Sequence, residues 1–363
     1  MTTATANVWS CLIDPILIYG ASGYTGRLIV DRAIARGLRP ILAGRDRDKL
    51  ANLAARRRLE SRCASLTDRS ALSAAVRGVR VVLNAAGPFS TTFDPIVDAC
   101  LDAGAHYLDI TGEIEVIERA ARKHSAALRS GIMVMPAVGF DVVPSDCLAA
   151  HVVSRCAGAT RLRIGIAGLD LLSRGSARTV LDRVGRGTVV RRTGRLVALE
   201  DGAPEAFHEF DFGDGPRQCA AVSWGDVASA FFTTGVPDVA VYFEATAGVL
   251  ASLGWERAWG PWFRQGPWRE LLARAGALIP EGPSGPRRAQ GSATLVAEAS
   301  VEGGPPVRAR LRTPEVYELT AVTAIAIAER VLAEDLEVGF QTPARVYGAD
   351  FVLSIPAVSR EDL

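Results

Sequence analysis

An apolar run, Pro15-Ile16-Leu17-Ile18-Tyr19, leads into Gly20-Ala21-Ser22-Gly23-Tyr24-Thr25-Gly26 and then into a stretch of helical pattern from Leu28 to Ala35. A strand, a glycine turn and a helix in that order form the arrangement that holds a dinucleotide pyrophosphate. Gly20 permits the tight turn, Gly23 lets the backbone approach the phosphates, and Gly26 lets helix and strand pack closely. The first-turn amides, with Ser22, Tyr24 and Thr25 among the contacts, meet the anion with their dipole. The next apolar run, Leu38 to Ala43, ends in Gly44-Arg45, 19 residues after Gly26. An NAD-binding chain usually carries a carboxylate there for the ribose hydroxyl, whereas an arginine accommodates the extra phosphate of NADP. Arg45 therefore makes NADP the expected cofactor.

A chain of 363 residues is long for one core and suits two domains. With 48% hydrophobic residues, 22% charged residues and a net charge of +1, it has no bulk field to attract nucleic acid. No stretch has the roughly 18 uninterrupted apolar residues of a membrane span, and the N-terminus lacks a signal-peptide pattern, so a cytoplasmic protein is expected. The six cysteines are scattered, as in a reduced protein. Lys49 and Lys123 are the only lysines, and Arg45 and Arg119 stand four residues before them. The Tyr-x-x-x-Lys chemistry of short-chain dehydrogenases is thereby excluded.

Apolar runs alternate with helix-period segments to about residue 140, with candidate strands at 15–20, 38–43, 59–64, 80–85, 105–110 and 131–137. That is the pattern of an α/β, Rossmann-type doubly wound parallel sheet. Residues 160–313 carry strand-like runs broken by Gly and Pro, including a hairpin of 292–300 with 307–312. They read as a second, inserted α+β domain. The expected division is an NADP-binding domain over 1–147, with 315–363 packing back on it, and a substrate-binding or dimerisation domain over 148–314.

Several motifs together resemble the saccharopine dehydrogenase-like reductases, and within them the trans-acting enoyl reductases. They are Gly20-Ala21-Ser22-Gly23-Tyr24-Thr25-Gly26-Arg27, Ala43-Gly44-Arg45, Asn84-Ala85-Ala86-Gly87-Pro88, Ala105-His106-Tyr107-Leu108-Asp109-Ile110-Thr111-Gly112-Glu113, Gly139-Phe140-Asp141-Val142-Val143-Pro144-Ser145-Asp146, Gly282-Pro283-Ser284 and Tyr317-Glu318-Leu319-Thr320-Ala321. The resemblance implies an NADPH cofactor and reduction of a C=C or C=N bond. Similar proteins usually read Gly-Pro-Tyr where this chain has Gly87-Pro88-Phe89, so a hydroxyl is absent there.

Ligands of open α/β sheets bind beyond the carboxyl ends of the strands. Asn84, Ala85, Ala86, Gly87 and Pro88 leave room there for the nicotinamide ribose, and Asp68 stands where related nucleotide folds contact adenine, or else caps a helix. Tyr107, Asp109, Glu113 and Asp141 are the candidate proton donors. Each also has a structural reading: Asp109 and Asp141 as turn or helix caps, Tyr107 as core, and Glu113 as an early helix carboxylate. Cys147, His151 and Cys156 lack the convergence of a metal site, and none is expected. Nine arginines in 161–195 face only Asp170 and Asp182. This excess could receive an anionic substrate arm at Arg174 and Arg178, or form a solvated face. Trp255, Trp259, Trp262 and Trp268 could line an acyl pocket, form a homodimer contact or belong to the core.

The expectation is an NADPH-dependent reductase of a C=C or C=N bond in a biosynthetic intermediate, free or carried on a protein. Two alternatives remain open, a non-catalytic NADP-binding sensor or scaffold and an amino-acid or opine-type dehydrogenase.

Overall fold

The structure, a computed structural model, describes residues 16–169, 187–200, 202–251 and 281–363. The tryptophan cluster and Arg174 and Arg178 lie outside the described residues.

The first sheet grows from short, wholly apolar strands. Strand β1 (Ile16–Tyr19), β2 (Ile41–Gly44) and β4 (Val81–Asn84) are buried at every position, while β3 (Ser61–Cys63) forms the more exposed edge. With β5 (His106–Asp109), β6 (Met133–Met135) and a late strand, β15 (Gly339–Phe340), they form seven strands in the order β15-β6-β5-β4-β1-β2-β3. All pairings in this sheet are parallel. Strands buried on both faces carry continuous rather than alternating apolar sequence, as these do. The order reverses between β1 and β4, so the crevice of a doubly wound sheet opens beyond their carboxyl ends.

Helices α1 (Tyr24–Ala35), α2 (Arg47–Arg57), α3 (Arg69–Val76), α4 (Phe89–Ala103), α5 (Ile114–Arg122) and α6 (His124–Ser130) follow the first five strands. Helix α7 (Val143–Ser154) leads out of the first sheet and packs on the second. The residue expected to end the first domain, Cys147, falls inside it.

The second sheet runs β10-β11-β12-β7-β13-β14-β16, with β8 (Val189–Arg192) paired to β12 and β9 (Arg195–Ala198) paired to β8. Its centre is β7 (Arg161–Ala167), parallel to β12 (Asp238–Glu244) and antiparallel to β13 (Ser292–Ser300). The hairpin of β13 and β14 (Val307–Pro314) turns through Gly303 in the left-handed region. Strands β10 (Phe207–Asp211) and β11 (Pro216–Val222) close one edge, and the final strand β16 (Ser359–Asp362) closes the other. The C-terminal segment thus supplies one strand to each sheet.

Helix α8 (Asp226–Thr234) packs against α7 and α5, and a short helix, α9 (Gly285–Gln290), precedes β13. Helix α10 (Val316–Leu332) is rich in Ala, Ile and Thr and lies against α1, β4 and β5. A helix apolar on most faces must be covered on most faces. Helix α11 (Pro343–Tyr347) then packs on α7. Among the described residues, no helix is long and apolar enough to cross a membrane.

Candidate active site

The glycine turn closes on itself. Gly20 lies in the left-handed region at φ 83°, its carbonyl accepts the Gly23 amide at 3.0 Å, and a Cβ on Gly26 would stand 2.2 Å from that same carbonyl oxygen. No L side chain fits at Gly26 without moving the turn. A Cβ on Gly20 would press on the Ala86 amide nitrogen at 2.8 Å, so this turn also abuts the loop after β4. Helix α1 begins without a side-chain cap and without an acidic residue in its first turn. Its leading amides retain their positive end for an anion, and the close-packed backbone leaves a cradle of the kind a pyrophosphate occupies. These residues fit a dinucleotide.

Arg45 is exposed just beyond β2, where an extra ribose phosphate would be met, and the next residue, Asp46, caps α2 through the Lys49 amide at 3.1 Å. Asp68 caps α3 by accepting the Ala71 amide at 2.9 Å. Its side chain already has a structural role.

Tyr24 has a role the sequence did not suggest. Its hydroxyl donates to the Pro283 carbonyl at 2.6 Å and accepts from the Arg288 guanidinium at 3.0 Å, while its ring meets Tyr317 edge-on at 5.3 Å. Arg27 donates to the Ser22 carbonyl and pairs with Glu281. The Gly282-Pro283-Ser284 motif is therefore a strap from the inserted region, seated on the phosphate turn.

Beyond β4 and β5 lies a closed network of hydrogen bonds. The Asn84 amide donates to Thr92 Oγ1 at 3.0 Å and to the Tyr107 hydroxyl at 3.2 Å, and its carbonyl oxygen accepts the Ala86 amide at 3.0 Å. Tyr107 donates to Asp109 Oδ2 at 2.8 Å, and Asp109 Oδ1 accepts the amides of Thr111 and Ala137 at 2.9 and 2.8 Å. All three side chains are buried. Ala137 sits in the left-handed region at φ 62°, and Asp109 holds it there from the adjacent strand end. Burial pushes the Asp109 carboxyl up to about 6 and the Tyr107 hydroxyl well above its ordinary range. Neither reaches the crevice; they brace the loops that line it.

Glu113 is spent in the same way. Its two oxygens accept the amides of Phe89 and Ser90, each at 2.8 Å, so this carboxylate caps α4 from the far side of a loop. Two charge-assisted bonds at a helix N-terminus satisfy its orphan donors and its dipole together. The Gly87-Pro88 peptide is cis, and Phe89 is buried.

Asp141 is only partly buried, unlike the other three candidate acids. Its carboxylate lies against the backbone of Gly112, where a Cβ would stand 2.5 Å from Oδ2. Helix α10 shapes the loop that carries it: Thr320 Oγ1 accepts the Phe140 amide at 3.0 Å, Thr323 donates to the Val138 carbonyl at 2.8 Å, and Gly139 admits the Thr320 methyl. From the second sheet, Gly225 comes within 3.4 Å of Gly112 and 3.0 Å of Val142, measured from its ideal Cβ. The loops after β5 and β6 and the start of α8 thus converge.

Sequence reasoning missed Asp226, the fully buried first residue of α8, because nothing local distinguishes it from a helix-start carboxylate. It missed Thr320 and Thr323 as well, since a threonine in an apolar helix gives no sign of what it bonds. Cys147 and His151 point to separate partners, the Gly348 carbonyl and Asp362. Among the described residues, no group of three His, Cys, Asp or Glu could hold a metal ion.

Residues 16–135 match the protein family described as "Saccharopine dehydrogenase NADP binding domain". A probable mitochondrial saccharopine dehydrogenase-like oxidoreductase of Arabidopsis thaliana is 34% identical over 148 residues, 36% of this chain and 33% of the relative. A trans-acting enoyl reductase of Mycobacterium leprae is 33% identical over 139 residues, again 36% of this chain and 33% of the relative. The matched stretch thus spans about a third of each of these relatives. Apo saccharopine dehydrogenase (L-Glu forming) from Saccharomyces cerevisiae superposes with a TM-score of 0.62 at 13% identity, over 96% of this chain and 99% of that one, a likeness of fold. The glycine cradle, the doubly wound sheet and the family match agree that residues 16–135 are a saccharopine dehydrogenase NADP-binding domain.

Proposed function

We propose that the protein is an NADPH-dependent reductase of a C=C or C=N bond in a biosynthetic intermediate, with Asp141 as the proton donor. The supporting observation is the fate of the four candidate acids. Tyr107, Asp109 and Glu113 are buried, while Asp141 keeps partial exposure where three loops meet. NADPH, when bound, would supply the hydride. The chain's residues do the rest: the turn of Gly20, Gly23 and Gly26 holds the phosphates, Arg45 receives the additional one, and the loop of Asn84 to Pro88 borders the ribose beside the reacting carbon. Asp141 then delivers a proton to the atom next to the one that is reduced, so that one hydride and one proton saturate the bond.

The inserted region forms the other wall of the cleft and is the candidate substrate-binding and dimerisation domain. A small or carrier-bound substrate and a cytoplasmic setting belong to this reading. The trans-acting enoyl reductase relatives favour a C=C bond.

The test pairs cofactor binding with turnover. NADPH should bind more tightly than NADH, and Arg45→Ala should lose about tenfold in NADPH affinity, the worth of a charge-assisted phosphate contact of about 1.5 kcal/mol, with NADH affinity unchanged. Stopped-flow oxidation of bound NADPH by short enoyl thioesters and cyclic imines should fall at least a hundredfold in Asp141→Asn. Binding without turnover of either class would replace the reductase with an NADP-binding sensor or scaffold.

A further inference from the structure

Arg288, on the strap from the inserted region, stands at the wrong end of a helix for a positive charge. Its Nη1 donates to the Tyr24 hydroxyl and to the Pro283 carbonyl, each at 3.0 Å, and its guanidinium carbon lies 5.8 Å from the centre of the Tyr24 ring. Tyr24 is the first residue of α1, whose leading amides carry the positive end of the helix dipole. Cations are favoured at the carboxyl ends of helices and disfavoured at their amino ends.

The strap nevertheless brings a second positive charge to this helix start. Arg27 is already there, donating to the Ser22 carbonyl at 2.8 Å, and Glu281 of the strap pairs with it. Arg288 forms no ion pair among the described residues. Glu315 lies close enough to feel its charge, and Gly291, just past α9, packs on that side chain, a Cβ there standing 2.8 Å from Glu315 Cγ. The Glu315 carboxylate, however, accepts the Tyr317 and Glu318 amides at 2.9 and 3.0 Å and serves the start of α10.

A guanidinium carries donors on all three nitrogens. Both Nη1 hydrogens of Arg288 are used, while those on Nη2 and on Nε, which is buried without a partner, are not. An unpaired guanidinium beside the positive end of a helix is unfavourable by itself, and an anion shared between the two makes both interactions favourable. The fold directs one anion to this turn, the pyrophosphate of a dinucleotide.

We propose that Arg288 is a pyrophosphate ligand of the dinucleotide, contributed by the inserted region through the strap. This rests on the placement of the cofactor phosphates at the glycine turn. The first-turn amides of α1 hold the phosphates from the first domain, and Arg288, anchored on the Tyr24 hydroxyl, adds charge and hydrogen bonds from the second. NADP and NAD share the pyrophosphate, so Arg288 serves affinity for both, whereas Arg45 serves the choice between them. Cofactor binding and seating of the strap then reinforce one another, because residues of both regions meet the same anion.

Binding to the full chain provides the test, with NADPH, NADH and adenosine 2′-monophosphate as probes; the last carries the ribose phosphate but no pyrophosphate. Arg288→Gln, which removes the charge, should weaken NADPH and NADH alike by about tenfold, as for loss of a charge-assisted phosphate contact, and leave adenosine 2′-monophosphate unaffected. Arg288→Lys keeps a point charge that binds phosphate and should recover most of the loss. Arg45→Ala should give the crossed pattern, weakening NADPH and adenosine 2′-monophosphate but not NADH. Unchanged NADPH affinity in Arg288→Gln, a loss shared by adenosine 2′-monophosphate, or a loss confined to NADPH would overturn the proposal. Equal losses in Arg288→Lys and Arg288→Gln would overturn it too, since a residue that only seats the strap depends on the two Nη1 bonds and not on charge. A second measurement needs no variant: NADPH and NADH, but not adenosine 2′-monophosphate, should slow proteolytic cleavage at 281–290, and cleavage indifferent to NADPH rejects the assignment. If the unaltered chain binds neither NADPH nor NADH, the cofactor reading itself falls; if it binds both and Arg288→Gln binds them equally well, only the role of Arg288 falls.

Discussion

The ring of Tyr24 fills the space that a side chain at Gly282 would need, with ring carbons 2.5 Å from the ideal Cβ position. The two residues belong to different regions, and their contact seats the strap on the glycine turn proposed to hold the cofactor phosphates. Gly282→Ala should therefore lift the strap. Overpacking of this kind costs about 1–3 kcal/mol. The expected outcome is faster proteolytic cleavage at 281–290 and weaker NADPH binding, with Tyr24→Phe, which keeps the ring and loses only the hydroxyl's bonds to Pro283 and Arg288, showing a milder version of both. Unchanged cleavage in Gly282→Ala would mean that the strap does not depend on this contact.

Glu113 and α4 give a prediction about stability rather than chemistry. Glu113→Gln places an amide hydrogen against a backbone amide that now donates to the carboxylate, losing one of two charge-assisted bonds at a buried helix end. The cost should be about 2–3 kcal/mol, read as a lower urea midpoint with an unchanged m-value. A variant of full stability but reduced turnover would instead assign Glu113 to the reaction.

Asp109 gives a pH dependence whose sign follows from its burial. Its folded-state pKa of about 6 lies above the ordinary 3.8, so the folded protein binds its proton more tightly than the unfolded chain does. The contribution to stability is fully present below about pH 4 and is lost as the pH rises through about 6. The loss amounts to about 3 kcal/mol, at roughly 1.4 kcal/mol per pK unit. Comparing urea midpoints at pH 4 and pH 7, Asp109→Asn should lose less stability over that interval than the unaltered protein. Parallel curves for the two proteins would show that Asp109 carries no such linkage.

Much of the first domain was legible because its signals are local. The glycine turn needs only three residues at fixed spacing, and strand ends are marked by apolar runs stopping at small or polar residues. Arg45 follows from its position after β2. The roles of the acids were not legible for a physical reason: whether a carboxyl is free depends on which amides reach it. Glu113 could be read as an early residue of its own helix, yet its oxygens serve a helix that begins 24 residues before it. Tyr24 sits in the phosphate motif, and what the motif does not show is that its hydroxyl bonds a carbonyl 259 residues away.

The sequence by itself determined that a dinucleotide phosphate could be held here, since backbone conformation and helix polarity at the turn are set by neighbours along the chain. Only the tertiary structure decided how each candidate acid is surrounded. Burial and hydrogen-bond supply come from segments far apart in sequence, as with Ser145 and Asp226, 81 residues apart, and these set which carboxyl is braced by amides and which is pushed by burial toward its neutral form.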